Sequence, residues 1–284
     1  MNRFGGNWTK TKIEMLVEYA HAYLTIMNKY PHFRLLYFDG FAGTGFIEHG
    51  KKPRIDMTIG AARRIVELDQ PKSFDGYYFV EKNHKKAQEL RANLNQAAPQ
   101  KKEVIYIVEE DCNLKIKDLA DYMNRTKSER KYDKLLAYID PAGMQLDWNA
   151  LESLKGIGAD VWILVPTGLG VNRLLDNKGN LKQELLNKLT DFLGMPETDI
   201  RDFFYEQKTE LTLFGEETRI SKEESTIQKA AELYRERLRS IFKFVSEPFE
   251  LCNSRNSVMY HLLFMSNNEA GLNVANDIIK KYQN

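Results

Sequence analysis

Four short apolar runs, each ending in an acidic residue, most constrain how this chain folds. The first run, LLYF, precedes Asp39 and a glycine-rich turn, DGFAGTG. The other three end at Glu81, at the acidic cluster 109–111 and at Asp140. Short runs that are apolar throughout are typical of parallel strands buried on both faces. Because parallel strands end at one edge of a sheet, we expect the four acidic positions to meet in one crevice.

The rest of the pattern predicts an α/β fold. Apolar residues from Ile13 to Met27 repeat at helical spacing and predict a long first helix. Helical segments are then expected between the strands, with a fifth strand over 160–166. Two runs near the end of the chain, 244–251 and 258–265, are expected to pair antiparallel. We therefore predict a doubly wound, mostly parallel, Rossmann-like sheet of seven strands.

After the fifth strand the alternation breaks over residues 172–225. This segment is polar, and LKQELLNKLTDFL within it has clear helical periodicity. We predict a helical insertion that covers the strand ends as a lid or a substrate-recognition element. A length of 284 residues otherwise fits one domain, 1–284.

Composition narrows the class of protein. With 41 Lys and Arg against 40 Asp and Glu, overall charge gives no argument for binding nucleic acid. No apolar stretch approaches the roughly 20 residues of a membrane helix, and the first residues lack the apolar core of a secretory signal. Two cysteines without a CxxC pair and five scattered histidines predict neither a disulfide framework nor a metal site. We expect a cytoplasmic protein that binds no metal.

The glycine-rich turn lets the backbone approach a ligand closely. Its candidate contacts are Gly40, Phe41, Gly43 and Gly45. Nicotinamide dinucleotide folds use a related GxGxxG turn, but Glu48 occupies the third glycine position here. In addition, a carboxylate at Asp39 would repel a pyrophosphate and attract an ammonium group.

S-adenosylmethionine (SAM) matches an acidic crevice, because it carries a ribose diol, an adenine amine, an α-ammonium and a sulfonium but no phosphate. Glu81 is placed to accept hydrogen bonds from the ribose hydroxyls. Asp111, with Cys112 beside it, is expected to receive the adenine amine, with Glu109 and Glu110 as alternatives. The sequence therefore predicts a SAM-dependent methyltransferase.

The turn Asp140-Pro141-Ala142-Gly143 is the expected reaction centre. Proline makes the turn stiff, so that it can aim backbone carbonyls. An exocyclic amine of a nucleic-acid base is a poor nucleophile because its lone pair is delocalised into the ring. A carboxylate that accepts its N–H bonds returns electron density to nitrogen and orients it toward the methyl group. Asp140 and Pro141 are therefore the candidate catalytic residues, with nitrogen of a base as the favoured acceptor.

These motifs together resemble the three-Cys-motif partner (TcmP) family. The matching segments are WTKTK at 8–12, YFDGFAGTG at 37–45, FVEKN at 79–83, YIDPAG at 138–143, VPTGLGVNR at 165–173 and HLLFMS at 261–266. The resemblance implies a class I SAM-dependent methyltransferase-like fold. It also implies a partner, a phage-type protein with three clustered cysteines that is thought to be radical-SAM-like.

A wider resemblance is to the methyltransferases that act on adenine amines in DNA or ribosomal RNA. In that family a Trp-x-x-Lys-type segment touches the cofactor, which implies this role for Trp8 and Lys10 or Lys12. The family's reaction motif is Asp-Pro-Pro followed by an aromatic ring that stacks on a flipped base. Here Ala142 and Gly143 replace the second proline and the ring.

Three further residues are candidates for substrate binding. Trp148 offers a ring from the next loop, with core packing as the alternative, and Asn172 and Arg173 follow the fifth strand. Two other functions stay open at this point. One is methyl transfer to a protein or small molecule, and the other is a SAM-binding adaptor that positions the three-Cys partner without transferring methyl groups.

Overall fold

The structure is a computed structural model that describes residues 7–47, 58–128, 132–177, 181–212 and 215–283. Its helices are α1 (Asn7–Met27), α2 (Ala61–Val66), α3 (His84–Ala97), α4 (Cys112–Ser128), α5 (Trp148–Glu152), α6 (Asn172–Leu174), α7 (Gln183–Leu193), α8 (Glu197–Phe204), α9 (Thr226–Leu238) and α10 (Glu269–Tyr282). Its strands are β1 (Arg34–Asp39), β2 (Phe46–Ile47), β3 (Thr58–Ile59), β4 (Gly76–Val80), β5 (Ile105–Val108), β6 (Asp133–Ile139), β7 (Ala159–Val165), β8 (Tyr205–Thr212), β9 (Gly215–Lys222), β10 (Phe244–Val245), β11 (Phe249–Cys252) and β12 (Val258–Ser266).

One central sheet organises the fold. In spatial order its strands are β5, β4, β1, β6, β7 and β12, and both β10 and β11 pair with β12. The strands from β5 to β7 are parallel, whereas β12 runs antiparallel to β7. This is the predicted doubly wound, mostly parallel arrangement, with a reversed strand near one end as in Rossmann-like methyltransferase folds.

Helices cover both faces of the sheet. On β7, Val161 and Ile163 pack with the core that includes α4, α5, α7 and α9. The alternating residues Trp162 and Leu164 pack with the core on the other face, which includes α1, α2, α3 and α10. All four side chains are buried, which explains why the run DVWILVP is apolar at successive positions rather than at every second one.

One predicted strand is interrupted. The run 244–251 forms β10 and β11 with a break between them, so the central sheet has eight strand segments rather than seven. At the break, the Ser246 hydroxyl accepts a hydrogen bond from the backbone N–H of Phe264 at 2.9 Å and thus replaces a backbone acceptor. Pro248, two residues later, has no N–H with which to continue the ladder.

The insertion after β7 is only partly helical. Its first part contains α6, α7 and α8, but β8 and β9 then form an antiparallel hairpin with eight paired positions on each strand. Charged residues alternate at 206, 208 and 210, a pattern of period two that favours a strand. That the insertion covers the strand ends stays a prediction.

The hairpin is tied to the beginning of the insertion by one lysine. The ammonium of Lys222 donates hydrogen bonds to the carbonyls of Asn172 and Leu175, at 2.9 and 3.1 Å. Near the first strand, β2 and β3 form a small antiparallel pair. Residues 48–57 between them, including Glu48, lie outside the described residues.

Across the described part of the chain, no helix has the combination of length and hydropathy required to span a bilayer.

Candidate functional site

The carboxyl ends of β1, β4, β5 and β6 border one cavity, which we call the strand-end cavity. Its volume of about 420 Å³ is within the range of small-molecule sites. Its lining includes Gly40, Phe41, Gly43, Val80, Glu81, Lys82, Lys86, Glu110, Asp111, Cys112, Asp140, Ala142 and Gln145. The neighbours β1 and β6 lie where the connections of the sheet reverse direction, the usual ligand position in such folds. Seven of the candidate residues, and Glu110 as an alternative to one of them, therefore meet in one place.

The backbone after β1 extends the sheet into the cavity wall. Gly40 N–H donates to the carbonyl of Tyr138 at 2.9 Å, and Ala42 N–H donates to that of Val80 at 3.0 Å. A Cβ atom at position 40 would lie only 2.6 Å from the sulfur of Cys112. Glycine is therefore required there by the close approach of the two loops, and buried Cys112 forms part of the wall behind it.

Two further glycines give the turn its shape. Gly43 and Gly45 have φ angles of +63° and +78°, in the left-handed region that residues with a Cβ rarely adopt. Gly43 lines the cavity, and no atom lies within 4 Å of the position of its missing Cβ. Gly45 instead packs against Leu90 and does not line the cavity, so its contribution is to the path of the backbone.

Asp39 lies next to the cavity wall and is only 2% exposed. Its carboxyl accepts a hydrogen bond from Phe41 N–H at 3.1 Å. Burial is the main reason that the pKa of Asp39 rises to about 8, and the charges of Asp140 and Glu81 add to the effect. The Phe41 hydrogen bond and the charge of Lys12 lower the pKa in opposition. The carboxyl is therefore largely protonated at pH 7 until another cation comes close.

Glu81 follows β4 and keeps part of its carboxylate available. One oxygen accepts a hydrogen bond from Asn83 N–H at 2.8 Å, which fixes the side chain at the cavity wall. Among the described residues, no side chain is paired with Glu81 as a counterion. This carboxylate is therefore able to accept hydrogen bonds from a ligand.

The three acids that follow β5 do not all face the cavity in the structure. Asp111 accepts hydrogen bonds from Asn113 N–H at 2.9 Å and from Lys82 at 3.1 Å, so it caps α4 as well as lining the cavity. Glu110 also lines the cavity and pairs with Lys115 at 2.8 Å.

Glu109 points elsewhere. Its carboxylate contacts His84 at 2.5 Å and Arg91 at 3.7 Å, and it does not line the cavity. Only Glu110 and Asp111 thus remain as acids of this cluster that face a ligand.

Asp140, after β6, is clamped by an ion pair. The ammonium of Lys12 contacts both carboxylate oxygens, at 2.7 and 2.5 Å, and the Tyr138 hydroxyl donates to one of them at 3.0 Å. The side chains of Lys12 and Asp140 are 8% and 20% exposed. This nearly buried pair joins the first helix to the candidate reaction turn.

Aromatic rings also support the same turn. The Lys12 ammonium lies 5.0 Å from the centre of the Trp8 ring, which in turn packs on Tyr260 of β12 at 5.1 Å. The Tyr260 hydroxyl donates to the carbonyl of Ala142 at 3.1 Å. Pro141 between these contacts is buried. The predicted cofactor residues Trp8 and Lys12 therefore reach the site through the Asp140 turn rather than by lining the cavity.

Trp148 lies in the core rather than in the cavity. It is 4% exposed, its ring meets Tyr234 edge-on at 5.7 Å, and the Arg237 guanidinium lies 4.5 Å from its centre. This position matches the packing alternative, and a role in substrate binding stays a prediction.

Asn172 and Arg173 begin α6 and do not line the cavity either. The Asn172 carbonyl holds Lys222 of the hairpin, and the Arg173 side chain is exposed. Their part in binding a substrate also stays a prediction.

Sequence reasoning missed several residues of this site. They are Tyr138, Lys82, Lys86, Gln145 and Tyr260. The two lysines stand within six residues of Glu81, so the segment EKNHKK carried a usable signal. Tyr260 and its partner Ala142 are 118 residues apart in the chain, so no local sequence pattern predicts their hydrogen bond.

Comparisons with known proteins found similarity at the level of three-dimensional structure. No protein-family model matches the chain, and no curated protein matches it. A conserved hypothetical protein of Streptococcus pyogenes is similar with a TM-score of 0.31 and 14% identity, over 70% of this chain and 94% of that one. A Legionella pneumophila protein of the DUF519 family is similar with a TM-score of 0.44 and 14% identity, over 94% and 99%.

The Trm1 protein of Pyrococcus horikoshii, solved with S-adenosyl-L-methionine, is also similar, with a TM-score of 0.39 and 10% identity over 81% of this chain and 59% of that one. Similarities this low carry no argument about function. They also give no support to the specific resemblance to the three-Cys-motif partner family. The Rossmann-like assignment rests on the order and direction of the strands.

The Lys12–Asp140 pair yields a stability prediction. Lys12→Met removes the ammonium but keeps the length of the side chain, and it leaves a nearly buried carboxylate without its cation. We expect a loss of about 3 kcal/mol in the free energy of unfolding, measured with urea. Lys12→Met combined with Asp140→Asn should regain most of that loss, because no unpaired charge remains.

The control is Lys10→Met, which removes an exposed lysine two residues away and should change stability by less than about 0.5 kcal/mol. The result that would contradict this prediction is simple additivity. In that case the stability losses of Lys12→Met and of Asp140→Asn, each measured alone, would sum to the loss of the double variant, and the two residues would not be coupled.

Proposed function

We propose that this protein is a SAM-dependent methyltransferase whose cofactor binds in the strand-end cavity. The observation that carries the proposal is that Glu81, Asp111 and Asp140 share one cavity with Asp39 beside it. Such a lining suits a cationic ligand that offers hydroxyl and amine donors. Lys82 and Lys86 also line the cavity and Lys82 pairs with Asp111, so Glu81 is the carboxylate most open to such a ligand.

The donor set fits the parts of SAM. Glu81 is suited to accept hydrogen bonds from the ribose diol, and Asp111 or Glu110 from the adenine amine. Gly43 lets the backbone approach the ligand without steric hindrance, and Asp39 supplies negative charge near the amino-acid end once a bound cation favours its carboxylate form. Bound SAM would supply an electrophilic methyl group on its sulfonium.

Within this proposal, Asp140 orients the acceptor. A carboxylate offers about four lone-pair positions. Lys12 uses one on each oxygen and Tyr138 uses a second on Oδ2, which leaves one position on Oδ1. One N–H of an amine can be held there while the stiff Pro141 turn fixes its distance and direction. We therefore favour nitrogen of a nucleic-acid base as the acceptor.

The same contacts favour a second candidate, a SAM-binding adaptor without transferase activity. Lys12 and Tyr138 already occupy most of the Asp140 carboxylate, and Tyr260 donates to the Ala142 carbonyl. Polar groups satisfied in this way stabilise the turn even when no acceptor binds. The two candidates differ in whether methyl groups are transferred.

The protonation of Asp39 makes the proposed binding pH-dependent. Its pKa of about 8 means that the free protein binds a proton there at pH 7, whereas a bound cation favours the carboxylate. Binding of SAM should then release a proton, and affinity should rise with pH by up to about tenfold per unit. We would measure this by calorimetry between about pH 5.5 and 7, where the α-ammonium of SAM stays charged.

Asp39→Asn is the matched control, since it keeps the shape and removes the titrating group. It should bind SAM more weakly and with little pH dependence over the same range. No heat of SAM binding to the unmodified protein at any pH would overturn the proposed function.

Transfer itself is tested with methyl-labelled SAM and total RNA, then DNA. We expect label in one nucleic acid, and Asp140→Ala should reduce the rate by about 100-fold or more because orientation of the acceptor is lost. Glu109→Gln, which alters an acid on the same sheet edge outside the cavity, should leave the rate unchanged. SAM binding without transfer to nucleic acid or to lysate protein would favour the adaptor instead.

A further inference from the structure

A second cavity lies far from the carboxyl ends of the parallel strands, between α1, α10 and the beginning of β7. We call it the α1–α10 cavity, and its volume is about 180 Å³. Its polar lining includes Tyr19, Tyr23, Lys134, Asp160, Ser266 and Asn268. An apolar cavity of about 150 Å³ accommodates a molecule the size of benzene, so this space admits a small organic ligand.

The carboxylate of Asp160 is the negative group of this cavity. It accepts hydrogen bonds from the hydroxyls of Tyr19 and Ser266, at 2.7 and 2.5 Å. Burial raises the pKa of this carboxyl, while the two hydrogen bonds and the charge of Lys134 lower it in part. Asp160 has no ion-pair partner among the described residues, so a cation placed beside it would be stabilised.

Tyr23 forms part of the wall of this cavity and is only 8% exposed. Burial, and then the charge of Asp160, raise the pKa of its hydroxyl. This hydroxyl has no hydrogen-bond partner among the described residues and is buried from the cavity as well as from solvent. A ligand in the cavity would therefore pack on the Tyr23 ring rather than bond to its hydroxyl.

Lys134 supplies the opposite charge. It lines the same cavity, its ammonium lies 5.0 Å from the centre of the Phe33 ring, and it has no ion-pair partner in the described ranges. Asn267 adds a further polar side chain, and most of the remaining wall is apolar and includes Ile26, Met27 and Val274. One anion, one cation and an apolar surface are thus presented to one small space.

We propose that the α1–α10 cavity binds a small zwitterion of the amino-acid class, with its ammonium at Asp160 and its carboxylate at Lys134. The side chain of the ligand then packs on the apolar wall. This site is separate from the strand-end cavity and does not depend on SAM binding.

The test uses 2-aminopentanoate as the probe, with 2-aminopentane and pentanoate as ligands that carry only one of the two charges. Calorimetry or NMR titration of the full chain should give binding of the zwitterion at least about tenfold tighter than either single-charge compound. Lys134→Met removes the cation that would hold the ligand carboxylate and should weaken binding by about tenfold, whereas Tyr23→Phe removes only a hydroxyl that is buried from the cavity and should leave binding unchanged.

Gly271→Ala is a second variant that blocks the site. A Cβ at position 271 would lie 3.0 Å from the Tyr19 hydroxyl and 3.4 Å from the Asp160 carboxylate. Because alanine favours a helix interior over glycine, α10 should remain folded while binding is lost. Asp39→Asn should bind the probe as the unmodified protein does, which separates this cavity from the strand-end site.

Failure of the zwitterion to bind, or equal binding by the Gly271→Ala variant, would overturn the proposal. So would equal affinity for 2-aminopentane, since Lys134 would then have no role.

Discussion

Bringing several carboxylates to one edge of a sheet is unfavourable, and much of the structure around that edge serves to offset their repulsion. Asp39 is accommodated as a largely protonated, buried carboxyl. Asp140 is neutralised by Lys12, and Asp111 is paired with Lys82 while it caps α4. Protonation therefore removes the charge of Asp39, whereas ion pairs with lysines offset the charges of Asp140 and Asp111. Among the acids that line the cavity, Glu81 has no counterion among the described residues, and its carboxylate is the one left open to a ligand.

The first helix connects the two ends of the sheet. Lys12 near its beginning reaches the reaction turn at the carboxyl edge, whereas Tyr23 faces the α1–α10 cavity. Eleven residues of helix separate them, a rise of about 16 Å. The helix thus forms a wall of the α1–α10 cavity, and through Lys12 it supports the Asp140 turn that lines the strand-end cavity.

Much of the fold could be predicted from the sequence, because buried parallel strands have a local signature. The apolar runs before Asp39, Glu81 and Asp140 predicted three strands and the sheet edge at which they end, and the structure has β1, β4 and β6 at these positions. The β8–β9 hairpin escaped prediction since the strong helical period over 183–193 suggested that the whole insertion was helical. The break between β10 and β11 contains Pro248, which has no N–H with which to continue the ladder.

The residues that support the site were harder to predict. Lys12 was proposed as a cofactor contact, but its partner is Asp140, 128 residues away. Tyr260 and Tyr138 hold the same turn by contacts that exist only after the sheet is assembled. Sequence patterns identify which acids reach the sheet edge, whereas the partners that neutralise them depend on tertiary packing.

The central claim is that SAM occupies the strand-end cavity, and photochemical cross-linking tests it most directly. The protein would be irradiated with methyl-labelled SAM, digested and sequenced at the labelled peptides. The account predicts label in the segments around residues 40–43, 81 and 110–112, which line the cavity. Label confined to segments remote from that cavity, with these three unmodified, would contradict it.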